Sequence, residues 1–194
     1  MAEVKVLIEG YAKRIEEGWL ASSTSTLVKD SGKNILVDPG ANKKDLLEAL
    51  SKEGLKPEDI DIIFLTHCHL DHILNIRLFP NCFTCDCNTM RNGDKVKVFS
   101  GLLPGTNLEV IRTPGHAREH AVLIADTDKG KICVAGDLFW SGDGVEFKKD
   151  KESLINMEDI HIKDQGILIE SRKKVIDIVD YIIPGHGKMF KVDK

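Results

Sequence analysis

The sequence has no long apolar run. Nowhere do hydrophobic residues approach the roughly 18 consecutive positions that a membrane-spanning helix needs, so no membrane partner is expected. It also lacks a large charge excess. With 27 Lys and Arg against 31 Asp and Glu, the net charge is −4. That excludes a strongly basic chain that coats nucleic acid, although not a local basic groove. The opening MAEVKVLIEG has no cationic stretch leading into an apolar one, so no secretory signal is read there. The 5 cysteines are odd in number and not spaced like a small disulfide scaffold. Reduced thiols in a cytoplasmic protein are the expectation. No low-complexity segment or internal repeat is present. What remains is ordinary: 194 residues, 42% hydrophobic and 30% charged. This composition suits a single domain over residues 1–194 with its own core, as a monomer or homodimer.

Short β-branched runs recur at Val4–Ile8, Thr26–Val28, Ile35–Val37, Ile62–Leu65, Leu108–Ile111, Ala121–Ala125, Ile132–Ala135 and Tyr181–Ile183. Gly, Pro, Asn or Asp commonly bounds them, as strand ends require. Leu46, Leu47 and Leu50 fall at helical spacing within Lys43–Lys52, with Gly54 following as a helix stop. A second helix is expected from about Leu70 to Leu78, before Pro80, and a third over Gln165–Val179. The triplet Arg172-Lys173-Lys174 inside the third helix reads as a solvated face. Periodicity alone ends at mixed α and β structure.

The segment Thr66-His67-Cys68-His69-Leu70-Asp71-His72 carries the chemistry. Four candidate metal ligands, His67, His69, Asp71 and His72, crowd the end of an apolar strand. Packed this densely, the imidazoles would repel when protonated and would need partners when neutral and buried. A metal meets both demands. Strand alternation aims His67 and His69 the same way, while Asp71 and His72 lie past the turn and face a second position. Three more segments run from an apolar strand into a Gly-containing turn with one ligand: Thr113-Pro114-Gly115-His116, Ala135-Gly136-Asp137 and Pro184-Gly185-His186-Gly187. Ligands at the ends of several strands converge on one sheet edge, which is what a rigid site needs.

The succession HxHxDH, TPGH, GD and PGHG, over about Asn34 to Val192, resembles the metallo-β-lactamase fold superfamily. Leu36-Val37-Asp38-Pro39-Gly40 is similar to its early Asp-bearing turn. The resemblance implies an α/β (α+β) fold, a four-layer αβ/βα sandwich of two mixed β-sheets flanked by helices. It implies that His67, His69 and His116 hold one metal and Asp71, His72 and His186 a second, with Asp137 bridging. Each metal would keep an open position, the catalytic pattern. Nitrogen and carboxylate donors without thiolate suit two Zn²⁺, with Mn²⁺ or Fe²⁺ as alternatives. The activity implied is hydrolysis by a metal-bridging hydroxide, with Asp71 also orienting the nucleophile and carrying its proton.

The stretches THCHLDHILNIRLFP, CVAGDLF and SRKKVIDIVDYIIPGHGKMF are similar to small single-domain members, one of them associated with histone pre-mRNA processing. Phosphodiester cleavage of RNA or single-stranded DNA is therefore one branch. Hydrolysis of a β-lactam, ester, thioester or lactone is the other. A nuclease should show a basic groove, with Arg77, Arg91, Lys95, Arg118 and Lys188 as candidates. An acyl hydrolase should show a small apolar cleft walled by Trp19, Trp140, Phe139 or Leu70. Alternatives of another class are a mononuclear iron persulfide dioxygenase, against which the full second ligand set argues, and a non-catalytic metal-binding scaffold.

Asp38 reads either as a partner of a ligand His or as an Asx-turn acceptor. Cys68 points away from the metals and reads as a packing residue. Cys82, Cys85 and Cys87 read as buried thiols rather than a further zinc site, and Cys133 as core. His120 could touch a ligand, face substrate or be structural. His161 reads as exposed surface, in a charged, mobile stretch Lys148–Asp164 that could form part of a substrate rim.

Overall fold

The computed structural model describes residues 1–162 and 165–193. In chain order its elements are β1 (Glu3–Ile8), β2 (Tyr11–Ile15), β3 (Gly18–Ser22), β4 (Ser25–Asp30), β5 (Lys33–Val37), α1 (Lys43–Lys52), β6 (Ile62–Phe64), α2 (Leu70–Ile73), β7 (Phe83–Cys85), β8 (Thr89–Asn92), β9 (Lys95–Val98), β10 (Glu109–Arg112), β11 (Ala121–Thr127), β12 (Gly130–Gly136), α3 (Lys151–Ile155), α4 (Gln165–Ile176), β13 (Tyr181–Pro184) and β14 (Phe190–Lys191).

Two mixed sheets form the centre. One runs β1-β4-β5-β6-β7-β8-β9 and the other β10-β11-β12-β13-β14, while β2 and β3 make a separate hairpin. β5, β6 and β7 are parallel to one another, and so are β12 and β13; the other pairs are antiparallel. Period-two alternation then sorts each strand's residues. Ile35, Val37, Ile62 and Phe64 of the first sheet meet Leu123, Ile132, Val134 and Ile183 of the second in one buried cluster. Leu36 and Ile63 face the other way, onto Leu46 and Leu50 of α1. Val122, Cys133 and Ile182 likewise pack on Leu168, Val175 and Ile176 of α4. The result is an α+β sandwich with helices outside and sheets inside.

The expected strands are all present, and α1 matches its expected bounds. Asn42 Oδ1 accepts from the Asp45 N–H at 3.2 Å, and Gly54, at φ +71°, follows the helix end. The second helix is shorter than expected: α2 stops at Ile73, and a 3₁₀ turn continues over Leu74–Leu78. Tertiary hydrogen bonds divert its backbone. The Asp71 carbonyl accepts from the Ser23 N–H and the His72 carbonyl from the Gly40 N–H, while the Asn75 N–H donates to the Gly40 carbonyl. These bonds pin the ligand-bearing turn to both flanking loops. The third helix ends at Ile176 rather than Val179.

Two further expectations are corrected. Arg172 is fully buried, not part of a solvated face, although Lys173 and Lys174 are exposed. The stretch read as mobile contains α3, and at its end the fully buried Asp159; Lys163 and Asp164 lie outside the described residues. No helix among the described residues is long and apolar enough to cross a membrane.

Candidate metal centre

The site forms where strands of both sheets end. β6 delivers Thr66 and His67, and α2 delivers Asp71 and His72. The turn after β10 carries His116, the residue after β12 is Asp137, and Gly185-His186 follows β13. Two glycines let these ends approach. A Cβ on Gly185 would sit 1.8 Å from Asp137 Oδ1, and one on Gly136, already at φ +49°, would sit 2.4 Å from Thr66 Oγ1.

All seven side chains singled out in the sequence come together, in two groups. His67, His69, His116 and Asp137 form one; Asp71, His72 and His186 form the other. Within each group the potential ligand atoms lie within 4.8 Å of one another. In the first, His116 Nε2 is 3.0 Å from His69 Nδ1 and 3.3 Å from Asp137 Oδ2. In the second, His186 Nε2 and His72 Nε2 are 3.3 and 3.8 Å from Asp71 Oδ2. Ligands ~2.0–2.1 Å from a tetrahedral cation would stand ~3.3 Å apart, so the spacing suits one ion in each group.

Hydrogen bonds on the far side of each ring set its tautomer. His72 Nδ1 donates to Asp38 Oδ2 at 2.9 Å, His116 Nδ1 to Asp159 Oδ2 at 2.7 Å, and His186 Nδ1 to the Tyr11 carbonyl at 3.0 Å. These acceptors have no proton to give, so each ring keeps a proton on Nδ1, and Nε2 is the nitrogen turned to the site. His67 is held through one further residue, Thr66. The Thr66 hydroxyl spends its proton on Asp38 Oδ2 at 2.7 Å, and so accepts from His67 Nδ1 at 3.0 Å.

The bare atoms are the test of fit. His67 Nε2, His72 Nε2 and Asp137 Oδ1 are buried without a hydrogen-bond partner. Each such atom costs on the order of 1–3 kcal/mol if nothing satisfies it. All three face the shared space, and a cation there would satisfy them together. The seven side chains offer imidazole nitrogen and carboxylate oxygen but no thiolate, a set suited to zinc, manganese or iron.

Burial and the neighbouring charges shift the titrating groups of the site in opposite directions. Burial, then neighbouring His72, holds His67 well below the ordinary histidine range. Burial also lowers His69. His72 is raised well above that range, because Asp137 and Asp38 outweigh the burial that opposes its charge. Asp137 is held well below the carboxylate range, since His72 and His186 outweigh burial.

Asp38 serves three groups at once: the Thr66 N–H at 2.9 Å, the Thr66 hydroxyl and His72. The reading as partner of a ligand His holds, at a residue with φ +48°. His120 is fully buried, with Nδ1 2.8 Å from Thr113 Oγ1 and its ring 5.2 Å from that of His67. Burial and nearby His116 push it down to about 3, so it packs behind the site as a neutral ring. Cys68 is exposed, not a packing residue, because the turn into α2 leaves it outside the core. Cys85, Cys87 and Cys133 are buried, with burial raising the Cys85 thiol to about 12; Cys82 is half-buried. Among the described residues the Cys82–Cys87 stretch forms no metal-holding group.

A cleft of about 370 Å³ opens over the two groups, floored by ligand side chains and walled by Trp19, Trp140 and His161. The two tryptophans stand where the sequence placed them. Phe139 instead lies wholly in the core, and Leu70 is exposed without lining the cleft. Arg77, Arg91, Lys95, Arg118 and Lys188 do not line it either. Strand and turn placement sends these cations to other parts of the surface.

Comparison with known proteins now has a site to address. A family model of the metallo-beta-lactamase superfamily matches residues 18–84. Metallo-beta-lactamase domain-containing protein 1 of Xenopus laevis is 33% identical over 98% of this chain and 82% of its own length. The chain belongs to the metallo-beta-lactamase superfamily. It is also 30% identical to a "Probable metallo-hydrolase" of Methanocaldococcus jannaschii, over 89% of this chain and 91% of that one. The fold agrees with that of tm0894 from Thermotoga maritima, at a TM-score of 0.72 and 22% identity, covering 98% and 99% of the two chains. It also agrees with TTHA1623 in a di-iron-bound form, at a TM-score of 0.63 and 19% identity, covering 87% and 89%. The protein is thus a metallo-hydrolase of this superfamily with a candidate metal site at its sheet edge.

Three contributors to the candidate metal site were not found from sequence. Asp159 sits in a polar stretch with nothing to separate it from its charged neighbours. Tyr11 contributes a backbone carbonyl, which no residue type advertises. Arg172 donates from Nε to the Leu138 carbonyl at 2.9 Å and from Nη1 to the carbonyls of Ile155 and Met157, which fixes the segment leading to Asp159. A guanidinium between apolar helix positions, followed by two lysines, looks like surface until the carbonyls it meets are known.

Proposed function

We propose that the chain is a dinuclear zinc hydrolase in which His67, His69 and His116 hold one ion, Asp71, His72 and His186 the other, and Asp137 is shared. The Asp137 carboxylate carries this reading. Its Oδ2 lies 3.3 Å from His116 Nε2 and its Oδ1 3.3 Å from His72 Nε2, so one side chain faces both groups. Paired divalent cations, when bound, supply Lewis acidity and lower the pKa of water toward ~7.

The chain's own residues do the rest. Asp38, Asp159 and the Tyr11 carbonyl hold three imidazoles by Nδ1, which leaves Nε2 of each directed at the site. Asp71 carries the proton. It lines the cleft, and its side chain is 27% exposed against 7% for Asp137. Burial would raise its carboxyl, but the neighbouring imidazoles of His186 and His72 outweigh this and hold it below the ordinary carboxylate range. An ionised carboxylate at the cleft floor can accept a proton from the attacking water and return it to the leaving group.

The substrate is a small molecule or a short single-stranded stretch rather than a long polymer. The cleft is small, and no Arg or Lys lines it among the described residues. Acyl hydrolysis is favoured over phosphodiester cleavage on that ground.

Metal analysis combined with a substrate panel tests the reading. The panel should hold single-stranded RNA and DNA, nitrocefin, a lactone and S-lactoylglutathione. Zinc and iron should both be measured, since one fold neighbour is described in a di-iron-bound form. Two equivalents of metal and a hydrolysed substrate are expected, with both falling in Asp137→Ala. Activity that survives in Asp137→Ala would overturn the site assignment. Asp71→Asn with full turnover and normal metal content would overturn the proton role.

A further inference from the structure

The walls of the cleft are more specific than its volume. Trp140 and His161 lie with their rings stacked, centroids 5.2 Å apart and planes at 20°. Trp19 meets His161 edge-on, at 6.2 Å and 72°. The stacked pair and the edge-on ring together make an aromatic corner. Beside it, Ala12 and Ala21 are cross-strand partners on the β2–β3 hairpin that also carries Trp19, and both line the cleft. Two methyl-sized side chains take up little of the cleft, so it has aromatic walls and a small-residue side.

These walls are held in place. The Ala12 N–H donates to Asp143 Oδ1 at 3.1 Å, and the Asp143 N–H donates to the Ala12 carbonyl at 3.0 Å. This ties the hairpin to the loop that follows Trp140. The His161 N–H donates to Asp159 Oδ1 at 2.9 Å, and the same carboxylate holds His116 through Oδ2. One aspartate therefore fixes both an aromatic wall and a candidate metal ligand. Trp140 also stands 6.5 Å from the His116 ring and 6.1 Å from that of His186, between the two ligand groups. A ring seated in the corner would place its attached group over the metal-facing floor.

We propose that Trp19, Trp140 and His161 form the specificity subsite of this centre, and that it takes the flat aromatic or heteroaromatic ring of a small substrate. This rests on the hydrolase reading above and adds the substrate class. Flat rings gain from offset and edge-to-face contact beyond what area burial gives, by ~0.5–1.5 kcal/mol. A preformed wall also spares the cost of ordering side chains on binding. At about 370 Å³ the cleft is at the small end of small-molecule sites. A nucleobase is flat as well, so the ring could belong to an aryl acyl compound or to a nucleotide, and the test separates them.

The test compares 2-mercapto-3-phenylpropanoate with its cyclohexyl analogue on the metal-loaded full chain, by calorimetry. A second pair, 3-phenylpropanoate and 3-cyclohexylpropanoate, lacks the thiol and is followed by the indole N–H resonances of Trp19 and Trp140. Phenyl should be preferred over cyclohexyl by ~2–12-fold in both pairs. The preference should vanish in His161→Ala and Trp19→Ala, with metal content unchanged, and persist in the remote Val98→Ala. Equal binding of phenyl and cyclohexyl in both pairs, or a preference that survives both cleft variants, would overturn the proposal. Failure of the metal reading looks different: the thiols bind no tighter than the thiol-free acids while the phenyl preference remains. Adenosine 5′-phosphate competing with the phenyl ligand would support a nucleotide source of the ring. A long oligoadenylate binding more than about tenfold tighter than the mononucleotide would overturn the small-substrate assignment.

Discussion

Asp159 Oδ2 lies 2.7 Å from His116 Nδ1, across 43 positions of chain. The carboxylate is fully buried and below its ordinary range, because its bonds to His116 and to the His161 N–H outweigh the burial that opposes ionisation. It fixes the orientation of a ring whose other nitrogen faces the candidate metal site. Asp159→Ala should weaken retention of one metal equivalent by ~10–100-fold and leave the second nearly unaffected. Competition with a chromogenic chelator reads both equivalents separately. Equal loss from both, or from neither, would contradict the placement.

Gly185 is a packing test of the shared carboxylate. Its φ is not in the left-handed region, so an alanine there would suffer only from the Cβ, which would stand 1.8 Å from Asp137 Oδ1. Gly185→Ala should displace Asp137 and lower the metal content below that of the parent. Overpacking should also cost ~1–3 kcal/mol of stability. Circular dichroism with metal analysis distinguishes a displaced ligand from an unfolded chain.

Arg172 should matter far more than its two lysine neighbours. Its guanidinium answers carbonyls from Leu138, Ile155 and Met157 in a buried setting, and burial lowers its pKa to about 10. Arg172→Met leaves those carbonyls unpaired and should cost on the order of 3 kcal/mol. Lys173→Met and Lys174→Met, at exposed positions, should each change stability by less than about 0.5 kcal/mol. Urea denaturation of the three variants provides the comparison.

A pH dependence comes from Asp30, far from the metal-facing residues. Burial pushes this carboxyl up, but hydrogen bonds from the Asn107 N–H at 2.7 Å and the Ser31 hydroxyl at 2.8 Å more than reverse it, and the net shift is downward. A lowered folded value favours the folded state while the group is ionised. The contribution is therefore complete above the ordinary value of 3.8 and is lost as pH falls through the lower folded value. The stability advantage of the parent over Asp30→Asn should be present at neutral pH and shrink on acidification below that range. An advantage that stays constant down to about pH 2 would contradict the shift.

The candidate centre was legible because its ligands stand at strand ends. Each lies next to an apolar run and a glycine, so the strand signal and the ligand signal reinforce one another. His67 through His72 could be read from spacing alone. The separate turns at His116, Asp137 and His186 were joined to them by the same pattern of apolar strand, glycine turn and ligand, while the sorting into two metal positions came from resemblance; the convergence of Asp137 and His186 follows from the parallel course of β12 and β13. The hairpin β2–β3 was not legible. Lys13, Arg14, Trp19 and Leu20 are exposed, so no alternation marks the strands, and yet this hairpin supplies Trp19 and the carbonyl that holds His186.

By itself, the sequence determined the identity and order of the candidate metal ligands and the strands that carry them. These are local properties: an apolar run, a turn and a ligand within a few positions. The tertiary structure alone decided which groups stand behind and around those ligands. Asp159 against His116, Arg172 against Leu138 and His161 against Trp140 join residues far apart in the chain. A polar side chain carries no local mark of whether it meets water or a buried partner. That depends on which loops the packed sheets bring together, and here they bring a charged, surface-like stretch into the core of the site.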